Sequence, residues 1–140
     1  MQAELLVLGD ERFDPRLFQS AVGLKADKIE LIGDNVGASL IRRKRNGWII
    51  STGYSRCIYL EECARPLIAR LEPFWERLRE LTGQAGIYVE FSVAAYVGAQ
   101  EPALHLDRRT VQRLAYIGAA IDIDIILLGR GDSGPDVATV

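Results

Sequence analysis

Apolar and polar residues alternate most cleanly between Gly86 and Val97. Ile87, Val89, Phe91, Val93 and Ala95 share one parity; Tyr88, Glu90, Ser92, Ala94 and Tyr96 share the other. A period of two predicts a long strand with one face on a core and one polar face. Ala119–Leu128 repeats the pattern, with Ile121, Ile123, Ile125 and Leu127 on one face and Asp122, Asp124 and Ile126 on the other. Near the start, the apolar run from Ala3 to Gly9 predicts a buried strand.

Helical spacing takes over elsewhere. Asp14-Pro15 reads as an N-cap with proline at the first helical position, opening a helix that runs to about Val22 and stops at Gly23, with Leu17, Phe18, Ala21 and Val22 inward. Leu60, Cys63, Ala64, Leu67, Leu71, Phe74, Trp75 and Leu78 recur at spacings of three and four, so residues 61–81 form one amphipathic helix. Pro66 fits if regular helix begins near it, and Pro73 removes a backbone bond and bends the axis. Asp107 caps a third helix reaching Ile117, with Val111, Leu114, Ala115 and Ile117 inward and Arg108, Arg109 and Arg113 outward. Between the first two helices, Lys28–Ile32 predicts a short strand and Gly33-Asp34-Asn35 a turn. Asn46-Gly47, with Ala38–Arg45 before it and Trp48–Thr52 after it, predicts a type I′ hairpin that sets Arg45 against Trp48 in a cation–π contact.

The predicted order is β-α-β-β-β-α-β-α-β, too irregular for a parallel α/β fold. It makes a single α+β domain over residues 1–128, with an antiparallel or mixed sheet of about five strands and helices mainly on one face. Residues 129–140 hold Gly, Asp, Ser and Pro with little to bury and predict a flexible tail.

Composition narrows the function. The chain has 140 residues, 49% of them apolar and 26% charged, which suits one globular domain. No apolar run is long enough to span a bilayer, and Met1-Gln2-Ala3-Glu4 lacks the basic region of an export signal, so a cytoplasmic location is expected. Seventeen basic and nineteen acidic residues give a net charge of −2, which argues against a general nucleic-acid binder. One histidine and two cysteines cannot supply four zinc ligands, and no cofactor motif is present. Cys57 and Cys63 would close only a very short disulfide loop; a buried, structural role suits them better. His105 would need a nucleophile brought from afar by the fold (Ser51, Ser92 or Cys57) to act as a base. Gly131-Asp132-Ser133-Gly134-Pro135 superficially matches a serine-protease nucleophile segment, and Arg130-Gly131-Asp132 an integrin-binding tripeptide. Both sit in the tail without the surrounding pattern either function needs.

Two features remain. Arg42-Arg43-Lys44-Arg45 beside Trp48 makes a basic hairpin that could meet an acidic partner, or simply protect a sheet edge. Glu90, Asp122 and Asp124, with Tyr88 and Tyr96, share a sheet face if the last two strands pair. Tyrosines beside carboxylates suit a protein-binding surface; the same carboxylates could instead hold a divalent cation, bind a ligand or act as an acid/base pair, or lie solvated on an uncovered face. Fourteen of the seventeen basic residues are arginine, whose planar bidentate contacts favour protein surfaces.

Several pieces match one pattern in order: Gly9-Asp10, Asp14-Pro15, Gly33-Asp34, Asn46–Gly53, Leu71-Glu72-Pro73 and Leu114–Asp124. Over residues 3–127 the chain resembles the bacterial family called domain of unknown function 4279. The resemblance implies a small intracellular α+β domain and carries no catalytic residues. Small bacterial domains of this kind include immunity proteins that neutralise a toxin. The expectation is therefore a non-enzymatic, cytoplasmic protein-binding domain, with a toxin as its concrete partner, and self-association through sheet edges as a further option.

Overall fold

The computed structural model describes residues 1–129. Five strands form one mixed sheet: β1 (Gln2–Gly9), β2 (Lys28–Glu30), β3 (Asn46–Ser51), β4 (Ile87–Val97) and β5 (Ala120–Leu127). Their order is β2-β3-β1-β4-β5, antiparallel throughout except for the parallel pair β4–β5. The helices are α1 (Pro15–Val22), α2 (Leu60–Leu71), α3 (Trp75–Thr82) and α4 (Arg108–Tyr116). The fold is α+β.

Local chemistry explains the helix ends. The Asp14 carboxylate accepts the amides of Arg16 and Leu17, Pro15 starts α1, and Gly23 ends it at φ 83°. Asp107 accepts the Thr110 amide at 2.7 Å and starts α4. Glu72–Phe74 forms a 3-10 turn between α2 and α3, so the predicted long helix bends where Pro73 denies it a donor. Pro66 stands well inside α2, not near its start.

All four helices cover one sheet face. Ala3, Leu5 and Val7 of β1, Trp48 and Ile50 of β3, and Val89, Phe91, Val93 and Ala95 of β4 meet Phe18, Leu60, Leu67, Leu71, Trp75, Leu78 and Leu114 in a single core. Three inward assignments fail: Leu17 on α1 and Val111 and Ala115 on α4 are exposed, while Phe18 and Leu114 carry the packing of those helices. The helices do not reach over β5, where Ile121, Ile125 and Leu127 remain exposed and Ile123 is half-buried.

The predicted hairpin about Asn46-Gly47 is not formed. Both residues lie in β3, opposite Gly9 and Leu8, and neither has the positive φ that a type I′ turn requires. Asn46 instead ties three segments together: its amide nitrogen donates to the carbonyls of Asp10 and Phe13, and its oxygen accepts the Ile32 amide at 2.7 Å. Gly47 is where β1 and β3 approach most closely, since a Cβ there would stand 2.9 Å from Leu8 Cδ2. The actual ribbon is earlier. Gly33 and Arg43, Asp34 and Arg43, and Val36 and Ile41 are joined by backbone bonds, with Asn35 bridged to Arg42. This finger turns through Gly37 (φ 58°) and carries Leu40 at its tip, 97% exposed.

Candidate functional site

Among the described residues the sheet face turned away from the helices is open along β4 and β5 and closes towards β3 and β2, where Ile49 and Glu30 are buried. Register places Ser51, Glu4, Ser92 and Asp122 in one row across β3, β1, β4 and β5. Ile49, Leu6, Glu90 and Ala120 form the next, and Gln2, Ala94 and Asp124 lie on the other side of the first row. Tyr88 and Tyr96 stand on the same face because β4 alternates strictly, burying Val89 to Ala95 and half-exposing Glu90 to Tyr96. Tyr88 donates to Glu90 at 3.1 Å, and this bond to a carboxylate raises the tyrosine pKa. Tyr96 meets Tyr54 edge-to-face with centroids 5.3 Å apart. The fold thus brings Tyr88, Glu90, Tyr96, Asp122 and Asp124 onto one surface.

It does not make a metal centre of them. Among the described residues no three His, Cys, Asp or Glu side chains are grouped to hold an ion. Asp122 lies across from Ser92 and Asp124 from Ala94, with Glu90 one row further along.

Glu4, on the central strand, is a carboxylate that the alternation of β1 had hidden inside an apparently buried run. Burial, outweighing the nearby Lys28 and Arg43, lifts its pKa above the ordinary 4.5. Between the unfolded and the folded pKa the native state binds more protons, so this group's contribution to stability falls as pH rises through that interval. Glu4→Gln is therefore expected to raise the melting temperature relative to wild type at pH 7, and to lose that advantage below pH 4.5. Paired thermal melts at the two pH values check it. The difference between the variants is the proper readout, because Glu72 and Asp107 are held below their usual range by the Trp75 indole and the Thr110 amide and weaken every variant in acid.

The basic run is divided among separate tasks. Arg42 donates to the Gly33 carbonyl within the finger. Arg43 and Lys28 both bind Glu30, whose carboxylate is nearly buried on β2. Lys44 and Arg45 line a cleft of about 440 Å³ with Asp10, Gly86 and Tyr88, and the Arg45 guanidinium lies 5.5 Å from the Tyr88 ring centre. Trp48, expected at the surface under Arg45, is completely buried and cannot touch a partner. Its extended position on β3 directs the indole into the core, where it meets Phe18 at 5.2 Å. Tyr88 takes its place as the ring beneath Arg45.

The remaining candidates lie apart from this face. Cys63 is buried, Cys57 is half-buried against Tyr59 and Glu62, and both are free thiols. Burial raises the Cys57 pKa, which disfavours the reactive thiolate. His105 meets Glu61 at 3.3 Å, an exposed contact on the helical side, and among the described residues no serine or cysteine bonds to it. The protease-like and integrin-like tail motifs begin at Arg130, and with residues 130–140 of the predicted tail they lie outside the described residues.

The exposed Leu40 and Ile41 were hidden in the sequence, because an apolar pair before a charged run reads as a strand.

The family model for a domain of unknown function, DUF4279, matches residues 1–128. The chain belongs to this family. No curated protein and no solved structure matches it. The DUF4279 match spans all five strands and four helices, so the open face, the finger and β5 all lie within the family domain. Among the described residues no helix is long and apolar enough to cross a membrane.

Proposed function

We propose that this DUF4279 chain is a non-enzymatic, cytoplasmic binding domain whose open sheet face receives a protein partner, in its most concrete form as an immunity protein that neutralises a toxin domain. One observation carries the reading: a sheet face that the helices do not cover, on which Tyr88, Glu90 and Tyr96 of β4 and Asp122 and Asp124 of β5 stand beside the half-exposed apolar side chains of Leu6 and Leu8 of β1. Tyrosines, an apolar patch and charged neighbours are the usual components of a protein interface. The carboxylates favour a partner with a basic surface, and Arg45 over Tyr88 marks where the acidic region gives way to the basic cleft. Cytoplasmic placement rests on the family resemblance and the composition.

Native mass spectrometry with the products of neighbouring genes is the direct test. A complex holding equal numbers of the two chains is expected with one of them. Reversing Glu90, Asp122 and Asp124 together to arginine should weaken it about tenfold or more, chiefly through slower association at low salt. Failure to bind any neighbouring product, or a complex insensitive to this reversal, overturns the reading.

A further inference from the structure

We propose that two copies of this chain join through β5, pairing their edges antiparallel about a two-fold axis at Ile125 to make one continuous sheet. The two sheet edges differ sharply. β2 is three residues long, flanked by the finger and occupied by the Lys28–Glu30–Arg43 ion cluster. β5 is eight residues long and contains no lysine, proline or bulge to blunt it, and Ile125 and Leu127 are 57% and 78% exposed. No strand flanks its outer side among the described residues.

Backbone parity fixes which groups are offered. The Leu128 amide donates inward to Val97, so Ile121, Ile123, Ile125 and Leu127 turn their N–H and C=O groups outward. An antiparallel partner must meet these with residues of the same parity, which leaves few registers. An axis at Ile123 sets Asp122 opposite Asp124, and an axis at Asp124 sets that carboxylate against its own copy; both oppose like charges. An axis at Ile126 pairs only Ile125–Leu127 within the strand, whereas an axis at Ile125 pairs Ile123–Leu127. The axis at Ile125 sets Ile125 on its own copy and Ile123 on Leu127 on the helix side, while Asp124 meets Ile126 and Asp122 meets Leu128 on the open side. The carboxylates and the strand's length therefore exclude these competing registers and permit this one, and the apolar side chains that the helices leave uncovered face each other across the axis. A second copy of this chain supplies the matching pattern by symmetry.

Sedimentation of the full chain over a concentration series should show reversible doubling of mass. Ile125→Lys, a change at an exposed site that places two ammonium groups on the axis, should abolish the dimer and leave the far-ultraviolet circular dichroism unchanged. Under oxidation, Ile125→Cys should give a symmetric disulfide-linked dimer, whereas Ile121→Cys should give no more than wild type, since Ile121 does not meet its own copy in this register. A monomer at every concentration overturns the proposal, as does a dimer that survives Ile125→Lys or equal cross-linking by the two cysteine variants. Dimerisation seen only after residues 130–140 are removed also overturns it, by showing that the chain's own end occupies the edge. Neighbour binding is scored separately, so loss of one result leaves the other standing.

Discussion

Replacing Trp48 with alanine is expected to lower the unfolding free energy by about 3–5 kcal/mol, the usual cost of emptying a large aromatic site in a core. Trp48 lies on β3 between Val7 of β1 and Ile29 of β2. Its ring is fully buried and meets Phe18 edge-to-face, and Phe18 meets Phe13 in the same way. Loss of the indole therefore removes one end of an aromatic series that ties α1 and the loop before it to the sheet. Phenylalanine should behave differently from alanine. The Trp48 indole N–H has no hydrogen-bond partner among the described residues, and a buried donor left unpaired costs about 1–3 kcal/mol. Trp48→Phe gives up ring volume but also removes that donor, so its net cost should be less than half that of Trp48→Ala. Urea titrations of the three proteins, followed by the fluorescence of the remaining Trp75, provide the comparison. Equal losses for the two variants would show that the indole nitrogen carries no penalty.

This same residue shows where sequence patterning stopped being informative. The β4 alternation is readable because the sheet is covered on one face and open on the other, and period two records that difference directly. Asp14-Pro15, Pro73 and Asp107 are readable because each acts on backbone groups within a few residues. Asn46-Gly47 misleads because its strong local preference for a turn is outweighed by distant partners. The Asn46 side chain bonds Asp10, Phe13 and Ile32, and Gly47 admits Leu8 and Glu30 at close range. None of these contacts leaves a periodic trace. Moving the turn away from Asn46 also moves Trp48 from an exposed strand position into the core and separates the four basic residues that a hairpin would have gathered. The position of β5 was hidden for another reason. Its alternation matches that of β4, and only the tertiary arrangement decides that helices cover one strand and stop short of the other.

The pieces that carry the DUF4279 resemblance are chiefly builders of the fold. Asp14 and Pro15 start a helix, Gly33, Gly53 and Gly118 supply positive φ, Asn46 joins three segments, and Trp48 fills the core. The open face and the finger draw on other residues: Tyr88, Glu90 and Tyr96, and Leu40 and Ile41, all lie outside those pieces, while Asp122 and Asp124 fall within the last of them. A pattern made mostly of caps, turns and core positions identifies an architecture while leaving its binding chemistry free to vary, which is how a shared fold can serve different partners.

Gly9 gives this architectural role its severest test. It ends β1 opposite Asn46 and Ile87, and a Cβ placed on it would stand 2.8 Å from Phe13 Cγ, with Phe13 Cβ nearer still. Real side chains do not approach so closely, so Phe13 must move. It has little freedom to do so. Phe13 is nearly buried, its ring abuts Phe18, its amide donates to the Asp10 carbonyl at 3.0 Å, and its carbonyl receives the Asn46 side chain. Gly9→Ala should therefore destabilise the domain by about 3 kcal/mol, at the upper end for forced overpacking, although alanine is the smallest possible addition and φ at this position is not positive. A Phe13→Gly change alone should also destabilise, through the cavity it leaves. Combined, the two should cost clearly less than their sum, because Phe13→Gly removes both the Cβ and the ring that a methyl at position 9 would meet. A double-mutant cycle by chemical denaturation measures that coupling. Additive losses would place the defect of Gly9→Ala in the strand backbone and remove Phe13 from its cause.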